Sequence, residues 1–158
     1  TSSVRRFSPD CLDPKIHSNN LIQSIMAKIE ANAAGADEAL MLDQRGFVAE
    51  TNATHVFCVL GEEVFTSRHV ACPEGVTRRT VLQICAENGI SASERDFTQV
   101  EVYRADEMFC TGTMGELAAV TEVDGRQIGS GEVGPMTQRL AALYRAHVQE
   151  AGDRVVEE

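Results

Sequence analysis

The chain has 158 residues, 43% of them hydrophobic and 24% charged, with a formal net charge of −10. That length fits one domain with a proper core. The acidic balance argues against a nucleic-acid surface, and no apolar run approaches the roughly 20 residues of a membrane span. Five cysteines without a C-x-x-C pair point to a reducing, cytoplasmic setting with no disulfide framework. Four histidines stand at no recognisable metal-ligand spacing, so no metal is expected. The chain starts at Thr1 rather than Met and opens with no secretory signal, so a native N-terminus further upstream is expected.

Residues 1–12 read as an extended lead-in with Pro9 and the Arg5-Arg6 pair. Asp13-Pro14-Lys15-Ile16-His17-Ser18-Asn19-Asn20 follows, and Lys15 is one of only two lysines. A surface lysine usually lies on a solvated face, but one fixed after Asp-Pro ahead of a helix can be aimed into a cleft. Its neutral amine can form a Schiff base there. The first helix is expected to start at Asn20, with Gln23 as capping-box partner. Its inward stripe would be Leu21, Ile25, Ile29 and Ala33, with Ile22 and Met26 beside it, Lys28 solvated and Gly35 closing it.

Ala39–Leu42 and Phe47–Glu50 around Asp43-Gln44-Arg45-Gly46 predict a hairpin. His55–Leu60 reads as a buried strand and Val64–Thr66 as its neighbour. A second helix is expected from about Val76 to Asn88, with Val81, Leu82 and Cys85 inward and Gly89 past its end. A strand at Ile90–Glu94, a short helix or turn over residues 99–105, and strands at Glu107–Thr111 and Ala118–Val123 follow. Asp124-Gly125 marks a turn. Gly129–Gly134 is a loop. The last helix is expected over Pro135–Glu150 with Leu140, Leu143, Tyr144 and Val148 inward, ahead of a frayed tail over 152–158. The pattern is α+β, a β-rich domain with helices packed on it, without βαβ periodicity.

Three features stand beside Lys15. Glu50 ends a hairpin strand; it is either solvated or a buried carboxylate that needs a partner and can hold a proton on a heterocyclic nitrogen. Gly75-Val76-Thr77-Arg78-Arg79 opens a helix whose first amides are free, an anion site suited to phosphate or an ordinary helix start. Cys110-Thr111-Gly112-Thr113-Met114 follows a strand, either a plain connection or a second arm of a phosphate cradle. A lysine, a carboxylate and two such turns are what pyridoxal 5'-phosphate requires. Arg78 and Arg79 either reinforce the phosphate or lie in solvent. His17 would share a face with Lys15 in an extended segment, and a packing or surface role suits it better. His55 reads as a satisfied core histidine, Cys110 as a core thiol, and Met108, Met114 and Met136 as packing. Asp106 and Glu107 are adjacent on a strand and point to opposite faces.

In order along the chain, these segments resemble the large domain of the fold-type IV (class IV) pyridoxal-phosphate aminotransferases. The carriers are Pro14–Asn19, Ala39–Asp43 with Gly46–Glu50, Gly75–Arg78, Ala105–Thr113, and Val123-Asp124-Gly125 with Gly134–Thr137. That family includes branched-chain and D-amino-acid aminotransferases and aminodeoxychorismate lyase. The resemblance implies Lys15 as the Schiff-base lysine and proton carrier, and Glu50 against the pyridine nitrogen. It also implies Val76, Thr77, Gly112 and Thr113 at the phosphate, residues 13–151 as the cofactor-binding domain, small-molecule amino-acid and 2-oxo acid substrates, and a homodimer. Two departures stand out. The branched-chain members carry a tyrosine five residues after the lysine, where this chain has Asn20. Nothing here corresponds to the family's smaller N-terminal domain, which supplies a phosphate-binding arginine, so the chain is expected to be either a fragment or an incomplete relative. A lyase of the same family is the competing activity.

Overall fold

A computed structural model describes residues 1–150; the expected tail over 152–158 lies outside them. The α+β expectation holds. Nine strands and five helices are present among the described residues, with β1 (Leu40–Leu42) paired antiparallel to β2 (Val48–Thr51). The main sheet has the order β5-β4-β3-β6-β7, built from β3 (His55–Leu60), β4 (Glu63–Thr66), β5 (Ala92–Glu94), β6 (Glu107–Gly112) and β7 (Glu116–Ala119). All its pairs are antiparallel except β4 with β5.

Alternation along β3 sorts its side chains between two cores. Phe57 and Val59 join Val64 and Phe109 under α3 (Val76–Glu87) and α5 (Pro135–Glu150), against Val81, Ile84, Cys85 and Leu140. Phe57 and Phe109 sit directly opposite in register with rings stacked 5.0 Å apart. Val56 and Cys58 face the other way, toward Leu40, Leu42, Val48, Phe65, Phe97, Met108 and Cys110. Burying each such large side chain contributes about 1.5–3 kcal/mol, so β3 and β6, apolar on both faces, form the rigid spine.

The ends of β6 are polar for stated reasons. Glu107 is buried and its carboxylate accepts from the Met136 and Thr137 amides (2.9 and 2.7 Å) and from the Thr137 hydroxyl (2.7 Å), capping the start of α5. Asp106 lies in the bend before β6, not on the strand as expected, and accepts from the Gly61 amide (2.7 Å). The two carboxylates serve different turns.

Several expectations need correction. The lead-in is extended only at first, where Ser2 and Arg6 amides bond to Leu40 and Leu42 carbonyls. It then forms a helix, α1 (Pro9–Leu12), and a 3-10 turn at Pro14–Ile16. The next helix, α2, spans Ile22–Ala33, two residues later than expected. Gln23 is not its capping partner because its side chain accepts from the Phe7 amide (2.8 Å) and ties down the lead-in.

The expected inward stripe of α2 faces out instead. Leu21, Ile22, Ile25, Met26 and Ile29 are each about half exposed, while Ala27 and Ala31 are buried against Ala39, Met41 and Val4. The helix packs on β1 through its alanines. Ala118–Val123 is not one strand. It breaks into β7 and β8 (Glu122–Val123), and β8 turns through Asp124 and Gly125, both at positive φ, into β9 (Arg126–Gln127). Val148 is exposed rather than inward.

Candidate functional site

Glu50 lies near the end of β2 and is 6% exposed. Its carboxylate pairs with the Arg6 guanidinium, which also donates to the Ala71 carbonyl (3.2 Å) and the Ser24 hydroxyl (3.0 Å). The other carboxylate oxygen lies 3.6 Å from His55 Nε2. Burial pushes the Glu50 carboxyl up to about 7, and the charge and hydrogen bond of Arg6 hold it back. A proton at Glu50 is therefore easily exchanged near neutrality. Beside it the Cys72 thiol is pushed up to about 12 by burial.

Donor atoms of Glu50, His55 and Cys72 lie within 4.8 Å of one another, a cluster that sequence spacing did not show. No hydrogen bond links the three among the described residues, and two of them are committed elsewhere. His55 Nε2–H already donates to the Pro73 carbonyl (2.9 Å), and Arg6 already neutralises Glu50.

Residues 75–78 start α3. Gly75 has φ +74°, no side chain caps this end, and the first intrahelical bond joins the Arg79 amide to the Gly75 carbonyl (3.0 Å). The Val76, Thr77 and Arg78 amides are left with no partner inside the helix, the arrangement that attracts an anion. Thr77 is buried and the Val76 side chain is exposed. Arg78 is 1% exposed, donates to the Ser67 carbonyl (2.6 Å) and pairs with Glu94, while its Nε has no partner. Arg79 is solvated and reaches only Glu74 (3.6 Å). Of the two arginines, then, Arg78 alone adds buried positive charge near the helix start.

Gly112 ends β6 and Thr113 is exposed in the turn that follows. Thr111 just before them is buried with an unpartnered hydroxyl, and it sits opposite His55 in the β3–β6 register. Arg78 belongs to the uncapped helix start itself. The free amides of that start fit a phosphate-bearing ligand, and the buried Glu50 carboxylate fits a basic ring nitrogen.

Lys15 sits in the 3-10 turn, where the Asp13 carboxylate accepts from its amide (3.0 Å) and lies 3.8 Å from Nζ. Its side chain is half exposed and has no hydrogen bond to Glu50 or to the α3 start among the described residues. A cavity of about 80 Å³ is lined by Asp13, Pro14 and His17 of the same turn together with Arg6 and Pro73, but neither Lys15 nor Glu50 lines it. The structure thus brings the Lys15 turn near Arg6 without bringing the Lys15 amine to Glu50. His17 is exposed in a left-handed conformation (φ 56°), a surface residue that ends the turn.

Glu50, Gly75–Thr77, Gly112 and Thr113 stood out in the sequence, but the residues that join them did not. Arg6 was visible only as half of a basic pair, and Cys72 carried no signal. His55 is satisfied, as expected, but its position at the junction was not legible.

No helix among the described residues is long and apolar enough to cross a membrane. The profile of class IV aminotransferases matches residues 1–123. A branched-chain-amino-acid aminotransferase-like protein 2 of Arabidopsis thaliana is 48% identical over 145 residues, covering 92% of this chain and 26% of that protein. A branched-chain-amino-acid aminotransferase of Pseudomonas aeruginosa is 42% identical, covering 91% of this chain and 47% of its own length. This chain thus spans half or less of the length of these relatives. Among solved structures, a branched-chain amino acid aminotransferase from Thermobaculum terrenum in its PLP form superposes with a TM-score of 0.90 at 33% identity, over 96% of this chain and 50% of that one. A branched-chain aminotransferase from the archaeon Thermoproteus uzoniensis with norvaline superposes at 0.88 with 36% identity, over 94% of this chain and 50% of that one. With the family profile matching most of the chain and the fold superposing on solved members, the chain belongs to the class IV aminotransferase family.

Proposed function

We propose that this chain is the cofactor-binding large domain, residues 13–151, of a pyridoxal-phosphate-dependent aminotransferase that moves an amino group between an amino acid, branched-chain among the candidates, and a 2-oxo acid. The observation that carries the reading is Glu50. This carboxylate is buried between Arg6 and His55, and a group that exchanges its proton near neutrality there suits a basic ring nitrogen. Bound here, pyridoxal 5'-phosphate supplies an aldehyde and an electron-accepting ring.

The chain's own residues divide the remaining work. Lys15 Nζ is the amine that holds the cofactor and carries a proton to and from the substrate α-carbon. Glu50 faces the ring nitrogen and keeps a proton there. The Val76 and Thr77 amides, with Gly112 and the Thr113 hydroxyl, take the phosphate. The Cys58, Cys72, Cys85 and Cys110 thiols, all free and buried, support a reducing cytoplasmic location.

The test is titration of the full-length protein with pyridoxal 5'-phosphate. A visible absorption band should appear, and amino-group transfer should require an added 2-oxo acid. Absence of the band overturns the reading, and pyruvate release without an acceptor assigns the protein to the lyases instead.

The half-exposed stripe of α2 supports assembly as a homodimer, since a contiguous apolar face of this kind is rarely left to water. Ile25→Glu is expected to lower the mass seen by light scattering toward that of a single chain with an unchanged circular dichroism spectrum. An unchanged mass would place the interface elsewhere.

A further inference from the structure

His55 opens β3 and stands beside both Glu50 and the loop that leads into α3. Its Nε2–H donates to the Pro73 carbonyl (2.9 Å), two residues before Gly75, and lies 3.6 Å from the Glu50 carboxylate. Its ring also fills the space over Gly75. A Cβ there would fall 2.5 Å from His55 Cε1 and 2.8 Å from Nδ1, closer than such atoms approach. Glycine is therefore required at 75 twice over, by the ring and by its φ of +74°. The His55 backbone is paired with Thr111, which leads to Gly112 and Thr113.

Burial lowers the His55 pKa, with Arg78 and Arg6 acting in the same direction and the Pro73 carbonyl opposing. The neutral ring, with its proton on Nε2 as the carbonyl requires, is thus a fixed spacer rather than a titrating base.

We propose that His55 is a positioning residue that sets the distance between the Glu50 carboxylate and the anion-binding start of α3. The site would then measure one ligand length, from a basic ring nitrogen to a phosphate. This rests on the pyridoxal-phosphate reading above. A spacer of this kind makes two contacts interdependent. A ligand that satisfies Glu50 is delivered to the Val76 and Thr77 amides at the right separation, and the reverse.

Four ligands test the interdependence by affinity alone: pyridoxal 5'-phosphate, pyridoxal, and the analogues of each with the ring nitrogen replaced by carbon. In the full-length wild-type protein, losing the nitrogen and losing the phosphate should be non-additive by about fivefold or more in Kd, the scale of measurable coupling. In His55→Ala the two losses should become additive, and the Kd for pyridoxal 5'-phosphate should rise by about 10–100-fold, as misplacement by about an ångström predicts. A purely structural role would lower the melting temperature and weaken all four ligands by one common factor, leaving the non-additivity intact. That result overturns the proposal. If the wild type binds none of the four ligands, both this proposal and the cofactor reading fall; if it binds them but His55→Ala leaves the coupling unchanged, only this one does.

Discussion

Lys15→Ala in the full-length protein is expected to abolish the visible band that pyridoxal 5'-phosphate produces and to reduce amino-group transfer by about 10²–10⁴-fold from the loss of the proton carrier alone. Loss of the attaching amine adds to that. The fold should not notice. Lys15 is half exposed and its side chain meets only Asp13, at 3.8 Å, so the change in stability should stay within about 0.5 kcal/mol, as for other surface substitutions. Lys15→Arg separates charge from chemistry. A guanidinium keeps the positive charge but does not deprotonate, so it cannot act as the attaching amine. It should be as inactive as Lys15→Ala, with the same melting temperature. Retention of the band in either variant would remove Lys15 from the site and leave its odd placement after Asp13-Pro14 as a matter of turn geometry. A large loss of stability would mean that the 3-10 turn, not the amine, is what the substitution disturbs.

The parts of the fold that could be read from sequence are those where local pattern and tertiary packing agree. In β3 the alternation of Phe57 and Val59 with Val56 and Cys58 serves two cores, and in α3 the apolar positions Val81 and Cys85 face the sheet. α5 begins at Pro135, where a helix favours proline at its first position. Pattern failed in α2, where the larger residues lie outward and alanines inward. Hydrophobic periodicity finds the helix but assumes that the bulkier side is the buried one. Packing on β1 through Ala27 and Ala31 reverses that assumption. The strand expected over 118–123 failed for another reason, because the positive-φ pair Asp124 and Gly125 makes a separate two-stranded hairpin.

At the site, Glu50 was legible as a carboxylate between apolar strands, and Gly75 as the start of a helix. The contacts that join them were not. Arg6 comes from the lead-in, Cys72 and Pro73 from the loop before α3, and His55 from the spine. Apart from the neighbours Cys72 and Pro73, these residues lie far apart in sequence, and only the folding of the chain brings them together.

Arg6→Met should be the most destabilising single change in the site. It leaves Glu50 buried with its compensating charge removed, a defect that the carboxyl escapes by holding its proton and that grows as pH rises. The magnitude depends on pH in a direction that can be worked out. The Glu50 carboxyl already sits at about 7, above its ordinary 4.5, so its protonated form is the one favoured by folding. The stability it contributes is complete below the ordinary value and disappears as pH rises through about 7. Arg6 is the group that draws that value down, so in Arg6→Met the carboxyl holds its proton to higher pH. The variant should therefore lose about 1 kcal/mol near pH 5, from the hydrogen bonds to Ala71 and Ser24, and about 1 kcal/mol more near pH 8, where the wild-type carboxyl is ionised and that of the variant is not. Urea midpoints at the two pH values give the comparison. Adding Glu50→Gln to Arg6→Met should recover most of the alkaline deficit, because no buried charge is then left unpaired. It should restore no cofactor affinity, since an amide cannot hold a proton for a ring nitrogen as a carboxylate does. Equal losses at both pH values, or no recovery in the double variant, would mean that Arg6 stabilises the lead-in by packing and that Glu50 does not depend on its charge.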